Sequence, residues 1–207
     1  MNNQEKQPRP VILINGFLAP KFANLPIKWM LESHGFQAHL IDLPLLNLTD
    51  MKEIARCIAV GVDTVLSQEN ISHCDMIGVS LGGITGLYYL KKLEGHTKVK
   101  NFIAFGTPFK GTWKALLLAP VIGMFSKSLW QTLPGNTILS DLISSPVEGT
   151  DVYSIYAAND LIAPMESACL DWTKNIEVKS LPAPISHQGL ITSKQAMSHI
   201  VQILKEN

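Results

Sequence analysis

A serine flanked by glycines follows a short apolar run near the middle of the chain. The residues Gly78-Val79-Ser80-Leu81-Gly82 fit the pattern G-x-S-x-G. Residues 75–79 before the serine are typical of a buried strand, and residues 81–93 after it have helical spacing. A sharp strand-to-helix turn needs glycine two residues before and two after its central residue. Such a turn would lift the Ser80 hydroxyl above the carboxyl edge of the sheet as a nucleophile; the alternative is a glycine turn with an uninvolved serine.

A serine hydroxyl is a weak nucleophile unless a base lies beside it, and histidine is the usual base. In this strand–turn–helix arrangement the acid and the histidine follow the serine along the chain. Five of the six histidines are set aside. His34, His39 and His73 precede the serine. His96 comes too early in the chain for the acid to lie between it and the serine, and His199 lies on the polar face of the last predicted helix. His187, in the loop before the last predicted helix, is the predicted base. The alternative is a loop histidine that faces water.

The third member of such a site is a carboxylate that orients the histidine and stabilises its charged form. It should follow the fifth predicted strand, where Asp160 is the only acid of its loop and has apolar neighbours. Asp151 begins that strand, at the opposite edge, and Asp171 lies well into the next segment. Asp160 is therefore the predicted acid, unless it only caps the following turn.

Attack on a carbonyl group also needs hydrogen-bond donors for the developing oxyanion. One should be the N–H of Leu81, directly after the nucleophile. The other should come from the loop after the first predicted strand, where Gly16 permits close approach of the backbone and Phe17 offers its amide. The alternative for this loop is a plain turn.

The elements that must position these groups alternate between strands and helices. Strands are predicted at residues 11–15, 36–43, 75–79, 99–105, 151–157 and 175–181, and the main helices at residues 25–34, 49–67, 81–93 and 194–204. This alternation requires right-handed crossovers and therefore predicts an α/β fold of about six mostly parallel strands with helices on both faces. We expect a flexible head at residues 1–9 and a single domain at 10–207.

One long segment separates the fourth and fifth predicted strands. It is rich in apolar and aromatic residues, and segments of this length are often functional. Residues 109–133 are the candidate cap over the serine, and one or two ordinary core helices are the alternative.

Composition excludes several classes of function. The 207 residues carry 17 basic and 17 acidic side chains, so no net field attracts nucleic acid. The three cysteines form no CxxC pair, and no cluster of ligand residues predicts a metal site. No apolar run is long enough for a signal peptide or a membrane span, so we expect a cytoplasmic protein, and no obligate protein partner is evident.

These features together resemble the α/β-hydrolase superfamily, and within it the small bacterial lipases and esterases. The residues Gly106-Thr107-Pro108 with Gly111-Thr112 are similar to a GTP-x-x-G-[ST] segment common in those lipases. Two features depart from the family: Asn15-Gly16 stands where His-Gly is frequent, and the usual first two antiparallel strands are absent, as in the smallest lipases. The resemblance covers nearly the whole chain.

The resemblance implies hydrolysis of carboxylic esters through an acyl-enzyme on Ser80, without a cofactor. It also implies an acyl-ester or lipid substrate and a transient contact of the cap with a lipid surface. Leu18, Phe109 and Trp113 are the candidates for substrate contact, although the two aromatic residues fit an ordinary core equally well. Acyl transfer or thioester hydrolysis by the same three residues remains open, as does a lipid-binding protein that has lost catalysis.

Overall fold

The computed structural model describes residues 9–117, 120, 126–182 and 185–206. Its centre is one six-stranded sheet with the strand order β2-β1-β3-β4-β5-β6, in which all neighbouring strands are parallel. The strands are β1 (Val11–Ile14), β2 (Ala38–Leu40), β3 (Cys74–Val79), β4 (Val99–Phe105), β5 (Asp151–Ala157) and β6 (Lys174–Val178). The predicted α/β architecture is confirmed.

Helices cover both faces of the sheet. In chain order they are α1 (Leu25–Ser33), α2 (Met51–Glu69), α3 (Leu81–Lys92), α4 (Lys127–Gln131), α5 (Thr137–Ile143), α6 (Met165–Ala168), α7 (Ser186–Gly189) and α8 (Lys194–Glu206). Short 3-10 turns lie at Lys21–Asn24, Leu45–Asn47, Gly95–Thr97, Trp113–Leu117 and Leu190–Thr192. Helices α2, α3 and α5 pack on one face, and α1 and α8 pack on the other.

The alternating side chains of β1 show why both faces need a cover. Ile12 and Ile14 pack with the α2 and α3 side of the core, whereas Val11 and Leu13 pack with the α1 and α8 side. All four side chains are buried. Successive residues of a strand point to opposite faces, so a continuous apolar strand is stable only between two helical layers.

The two outermost strands are shorter than the sequence predicts. The strand predicted at residues 36–43 is formed at Ala38–Leu40, and the one predicted at residues 175–181 begins one residue earlier and ends three residues earlier, at Lys174–Val178. An edge strand has one neighbour, so its ends are not held on both sides. After β6 the Lys179 N–H donates to the Gln195 side chain and the Lys179 carbonyl accepts from Ser193. The chain there is held by the start of α8 and not by the sheet.

The segment after β4 contains both buried and exposed apolar residues. Phe109, Leu139 and Leu142 are buried in the core, as ordinary packing predicts. Trp113 and Leu117 are instead largely exposed. The apolar residues Leu118, Val121, Ile122, Met124 and Phe125 lie outside the described residues. Within the described part of the chain, no helix has both the length and the apolar character needed to cross a membrane.

Candidate active site

Ser80 lies in a strained turn between β3 and α3. Its backbone has φ 54° and ψ −120°, a conformation that residues with a side chain rarely adopt. A methyl group on Gly78 would lie 2.5 Å from the Gly82 carbonyl oxygen, and one on Gly82 would lie 2.6 Å from the Ile14 carbonyl oxygen. Both contacts are with backbone, which explains why this turn needs glycine on each side of the serine.

The structure brings Ser80, His187 and Asp160 into one chain of hydrogen bonds. His187 Nε2 lies 3.1 Å from Ser80 Oγ, and His187 Nδ1 lies 2.7 Å from Asp160 Oδ2. The carboxylate accepts a hydrogen bond from Nδ1–H, so the lone pair of Nε2 faces the serine hydroxyl. The arrangement can remove a proton from Ser80 and stabilise the imidazolium that results.

Asp160 is held on both oxygens. Its Oδ1 accepts from the N–H groups of Ile162 and Ala163 at 2.8 and 3.0 Å, while Oδ2 faces His187. The residue is 1% exposed. Burial by itself would raise the pKa of this carboxyl group, but the hydrogen bond from His187, the charge of that ring and the two N–H groups together lower it. The carboxylate therefore stays ionised, and its position is fixed.

The loops that carry the acid and the histidine are also bound to each other. Ser186, buried and adjacent to His187, donates to the Asn159 carbonyl oxygen at 2.8 Å, and Ser180 donates to the Ser186 carbonyl at 2.6 Å. Sequence reasoning missed both serines, because a loop serine has no distinctive pattern. It did note Gly106 in the lipase-like segment; here its φ is +59° and a methyl group on it would lie 3.3 Å from His187 Cε1.

The loop after β1 lies against the nucleophile. A methyl group on Gly16 would lie 3.1 Å from Ser80 Cβ and 3.7 Å from Ser80 Oγ. In the described part of the chain, the N–H groups of Phe17 and Leu81 donate to no protein acceptor. Both amides are therefore free of protein acceptors among the described residues, and their role as oxyanion donors stays a prediction.

The three candidates for substrate contact lie in different surroundings. Leu18 follows the β1 loop and is 37% exposed. Trp113 is 65% exposed, whereas Phe109 is 1% exposed and belongs to the core on the α2 and α3 side. The packing of Phe109 is that of a core aromatic residue.

Large apolar side chains that remain exposed are concentrated on the segments that leave the carboxyl edge of the sheet. Of the twelve in the described residues, only Trp29 and Val60 lie elsewhere, on α1 and α2. The other ten follow β1, β4, β5 and β6, and we call them the apolar rim: Leu18, Phe22, Trp113, Leu116, Leu117, Trp130, Leu161, Met165, Leu181 and Ile185. The same edge carries Ser80 and His187.

Comparison with known proteins places the chain among solved structures of one architecture. No protein-family model matches the sequence. The chain is similar to a mature lipase of Bacillus licheniformis, with a TM-score of 0.81, 15% identity and coverage of 97% of this chain and 93% of that one.

Two further structures extend the comparison. Lipase B of Aspergillus fumigatus gives a TM-score of 0.80 at 19% identity, covering 97% of this chain and 53% of that one, so the chain spans about half of that lipase. A putative non-heme bromoperoxidase of Mycobacterium tuberculosis gives 0.72 at 12% identity, covering 96% and 92%. At such identities the likeness shows the fold alone.

Proposed function

We propose that this chain, which has the α/β-hydrolase fold, is a serine hydrolase that cleaves carboxylic esters of the lipase and esterase type. The observation that carries the proposal is the hydrogen-bonded chain Ser80–His187–Asp160, with the serine on a strained turn at the carboxyl edge of the sheet. Strain of this kind persists where surrounding structure enforces it and is concentrated at functional sites.

In the proposed reaction, His187 Nε2 takes the hydroxyl proton as Ser80 Oγ attacks the ester carbonyl carbon. The tetrahedral intermediate collapses when the imidazolium returns its proton to the leaving alcohol, and an acyl-serine ester remains. Water then attacks this ester with His187 again as base, which releases the carboxylic acid and restores the serine. Asp160 holds the ring and stabilises its positive form throughout.

The N–H groups of Phe17 and Leu81 are the proposed donors to the oxyanion. Leu81 is the first residue of α3, so its N–H is one of the free donors at a helix N-terminus, where the helix dipole also favours negative charge. Removing a single donor of this type costs on the order of 10²–10³ in turnover.

The apolar rim supports an acyl or lipid substrate and a transient contact with a lipid surface through the segment after β4. We assign Leu18 and Trp113 to the acyl chain because both are exposed members of this rim. A double substitution of Leu116→Ser and Leu117→Ser should weaken flotation with phosphatidylcholine vesicles severalfold. Trp29→Ser, at an exposed apolar residue of α1 outside the rim, is the control and should not. Equal losses in the two proteins would exclude a role of the rim in lipid contact.

The test of the proposed reaction is labelling by a fluorophosphonate probe together with hydrolysis of p-nitrophenyl esters of increasing acyl length. We expect the wild type to be labelled and to hydrolyse the esters. Ser80→Ala should abolish labelling and lower kcat on the order of 10⁶-fold in a folded protein. Ser33→Ala, at the end of α1, is the control and should keep both activities. An unlabelled wild type would instead indicate a protein that binds lipid without catalysis.

A further inference from the structure

We propose that Asn47, in the loop after β2, is a positioning residue that sets the direction of the oxyanion-binding N–H of Phe17. The inference rests on the proposed function. The Asn47 side-chain amide donates two hydrogen bonds, to the carbonyl oxygen of Asn15 at 3.0 Å and to that of Gly16 at 2.9 Å. These are the two peptide groups directly before Phe17.

The geometry of the peptide group connects this contact to catalysis. The carbonyl of Gly16 and the N–H of Phe17 belong to one rigid planar unit and point in opposite directions. Because the Asn47 amide fixes the position of the Gly16 oxygen, it also fixes the direction of the Phe17 N–H, which points away from Asn47. The Gly16 end of this unit lies against the nucleophile, since a methyl group on Gly16 would be 3.1 Å from Ser80 Cβ.

Asn47 can perform this function because it is itself fixed. It is 1% exposed, its N–H donates to the Pro44 carbonyl at 2.9 Å, and its carbonyl accepts from Ser128 Oγ at 2.5 Å. Its φ of 56° is left-handed, a conformation that asparagine tolerates better than most residues with a side chain. The bond from Ser128 also connects the site to α4, in the segment after β4.

Backbone strain is concentrated in the same place. Six residues other than glycine have positive φ in the described chain. Two of them lie near helix ends: Asn70 directly after α2, and Glu94 two residues after the end of α3. The other four lie in the turn of the nucleophile and in the two loops that contact each other beside it: Leu18, Leu46, Asn47 and Ser80. The Leu18 N–H donates to the Leu46 carbonyl at 2.9 Å, a second connection between the same loops.

A misdirected N–H would affect the reaction in a specific way. Full negative charge on the carbonyl oxygen develops only as the tetrahedral intermediate forms, so the Phe17 N–H stabilises the transition state more than the bound ester. Loss of the Asn47 amide should therefore lower kcat and leave KM nearly unchanged. If Asn47 had only a structural role, its replacement would lower the melting temperature but would not lower kcat selectively at an unchanged KM.

The test compares Asn47→Gly with Asn101→Ala. Glycine accepts the left-handed backbone of position 47, so Asn47→Gly removes the amide with little strain. Asn101 is an equally buried asparagine whose amide donates to Asp75, but it lies at the start of β4, at the opposite edge of the sheet. Asn47→Ala, which removes the amide without adding a charge, is the second variant in case the first does not fold.

For each folded variant we would measure kcat and KM with p-nitrophenyl butyrate, and the inhibition constant of an alkyl trifluoromethyl ketone, whose adduct with Ser80 carries an oxyanion. We expect the Asn47 variants to lose about 10- to 10³-fold in kcat, with a parallel loss of affinity for the ketone. Asn101→Ala should keep both. If a folded Asn47 variant kept the wild-type kcat, the inference about Asn47 would be overturned and the proposed function would stand. If the fluorophosphonate probe did not label the wild-type protein, both the inference and the proposed function would be overturned.

Discussion

Replacing Asp160 by asparagine tests the proposed site most directly, because the structure fixes how the new amide must lie. In the wild type, Oδ1 accepts two backbone N–H groups and Oδ2 faces His187. Asparagine can keep the first contact only if its oxygen stays on the backbone side, and its NH₂ group then donates to His187 Nδ1. The ring proton must move to Nε2, which faces Ser80, so the histidine can no longer accept the serine proton.

The opposite orientation of the new amide is unfavourable, and its free-energy cost sets the smallest loss of kcat that we expect. It would turn the NH₂ group toward the N–H groups of Ile162 and Ala163 and leave both without an acceptor, at about 1–3 kcal/mol each. Two such donors amount to at least about 2 kcal/mol, which limits the active form to about one molecule in thirty. The full effect of a wrong tautomer is about 10⁴ in kcat, or about 5.4 kcal/mol of activation free energy.

The assay is steady-state hydrolysis of p-nitrophenyl butyrate by Asp160→Asn at neutral pH. We expect kcat to fall between thirtyfold and 10⁴-fold with little change in KM. Asp151→Asn, on the same strand but at the other edge of the sheet, is the matched control and should keep wild-type turnover. A loss smaller than thirtyfold, or one confined to KM, would refute the assigned role of Asp160.

Three further predictions follow from the same contacts. Asp160 has a lowered pKa, so its contribution to the free energy of unfolding should be present above the ordinary value of 3.8 and be lost as the pH falls through the lowered value. The free energies of unfolding in urea of wild type and Asp160→Asn should therefore converge as the pH falls below 3.8, and a constant difference would contradict this. Gly78→Ala, which places a methyl group 2.5 Å from backbone, should lower Tm clearly more than Gly135→Ala. Gly135 has open space around it but a φ of +80°, so its replacement should cost about 2–8 °C. Equal losses would argue against a crowded turn. Ser186→Ala removes the bond to Asn159 and should lower kcat on the order of tenfold by loosening the histidine loop, so unchanged turnover would show that this bond is dispensable.

The sequence predicted the features that depend on neighbouring residues. The strands at residues 99–105 and 151–157 agree with the structure to the residue, because each has a neighbouring strand on both sides and is buried over most of its length. The helix predicted at residues 49–67 is formed at Met51–Glu69, with Asp50 as its N-terminal cap. The need for glycine on both sides of Ser80 could also be predicted from the sequence, because the turn that requires these glycines is only five residues long.

Other features were decided by contacts between distant parts of the chain. The ends of β2 and β6 depend on having one neighbouring strand, which periodicity does not show. In the sequence, nothing distinguishes Asn47 from any other loop asparagine. Only the folded structure shows that its amide donates a hydrogen bond to the carbonyl oxygen of Gly16, 31 residues earlier. Ser80 and His187 are 107 residues apart in the chain. The sequence shows the types and the order of the two residues. Their side chains lie 3.1 Å apart only because parallel strands bring the loops at the carboxyl ends of the strands to one edge of the sheet.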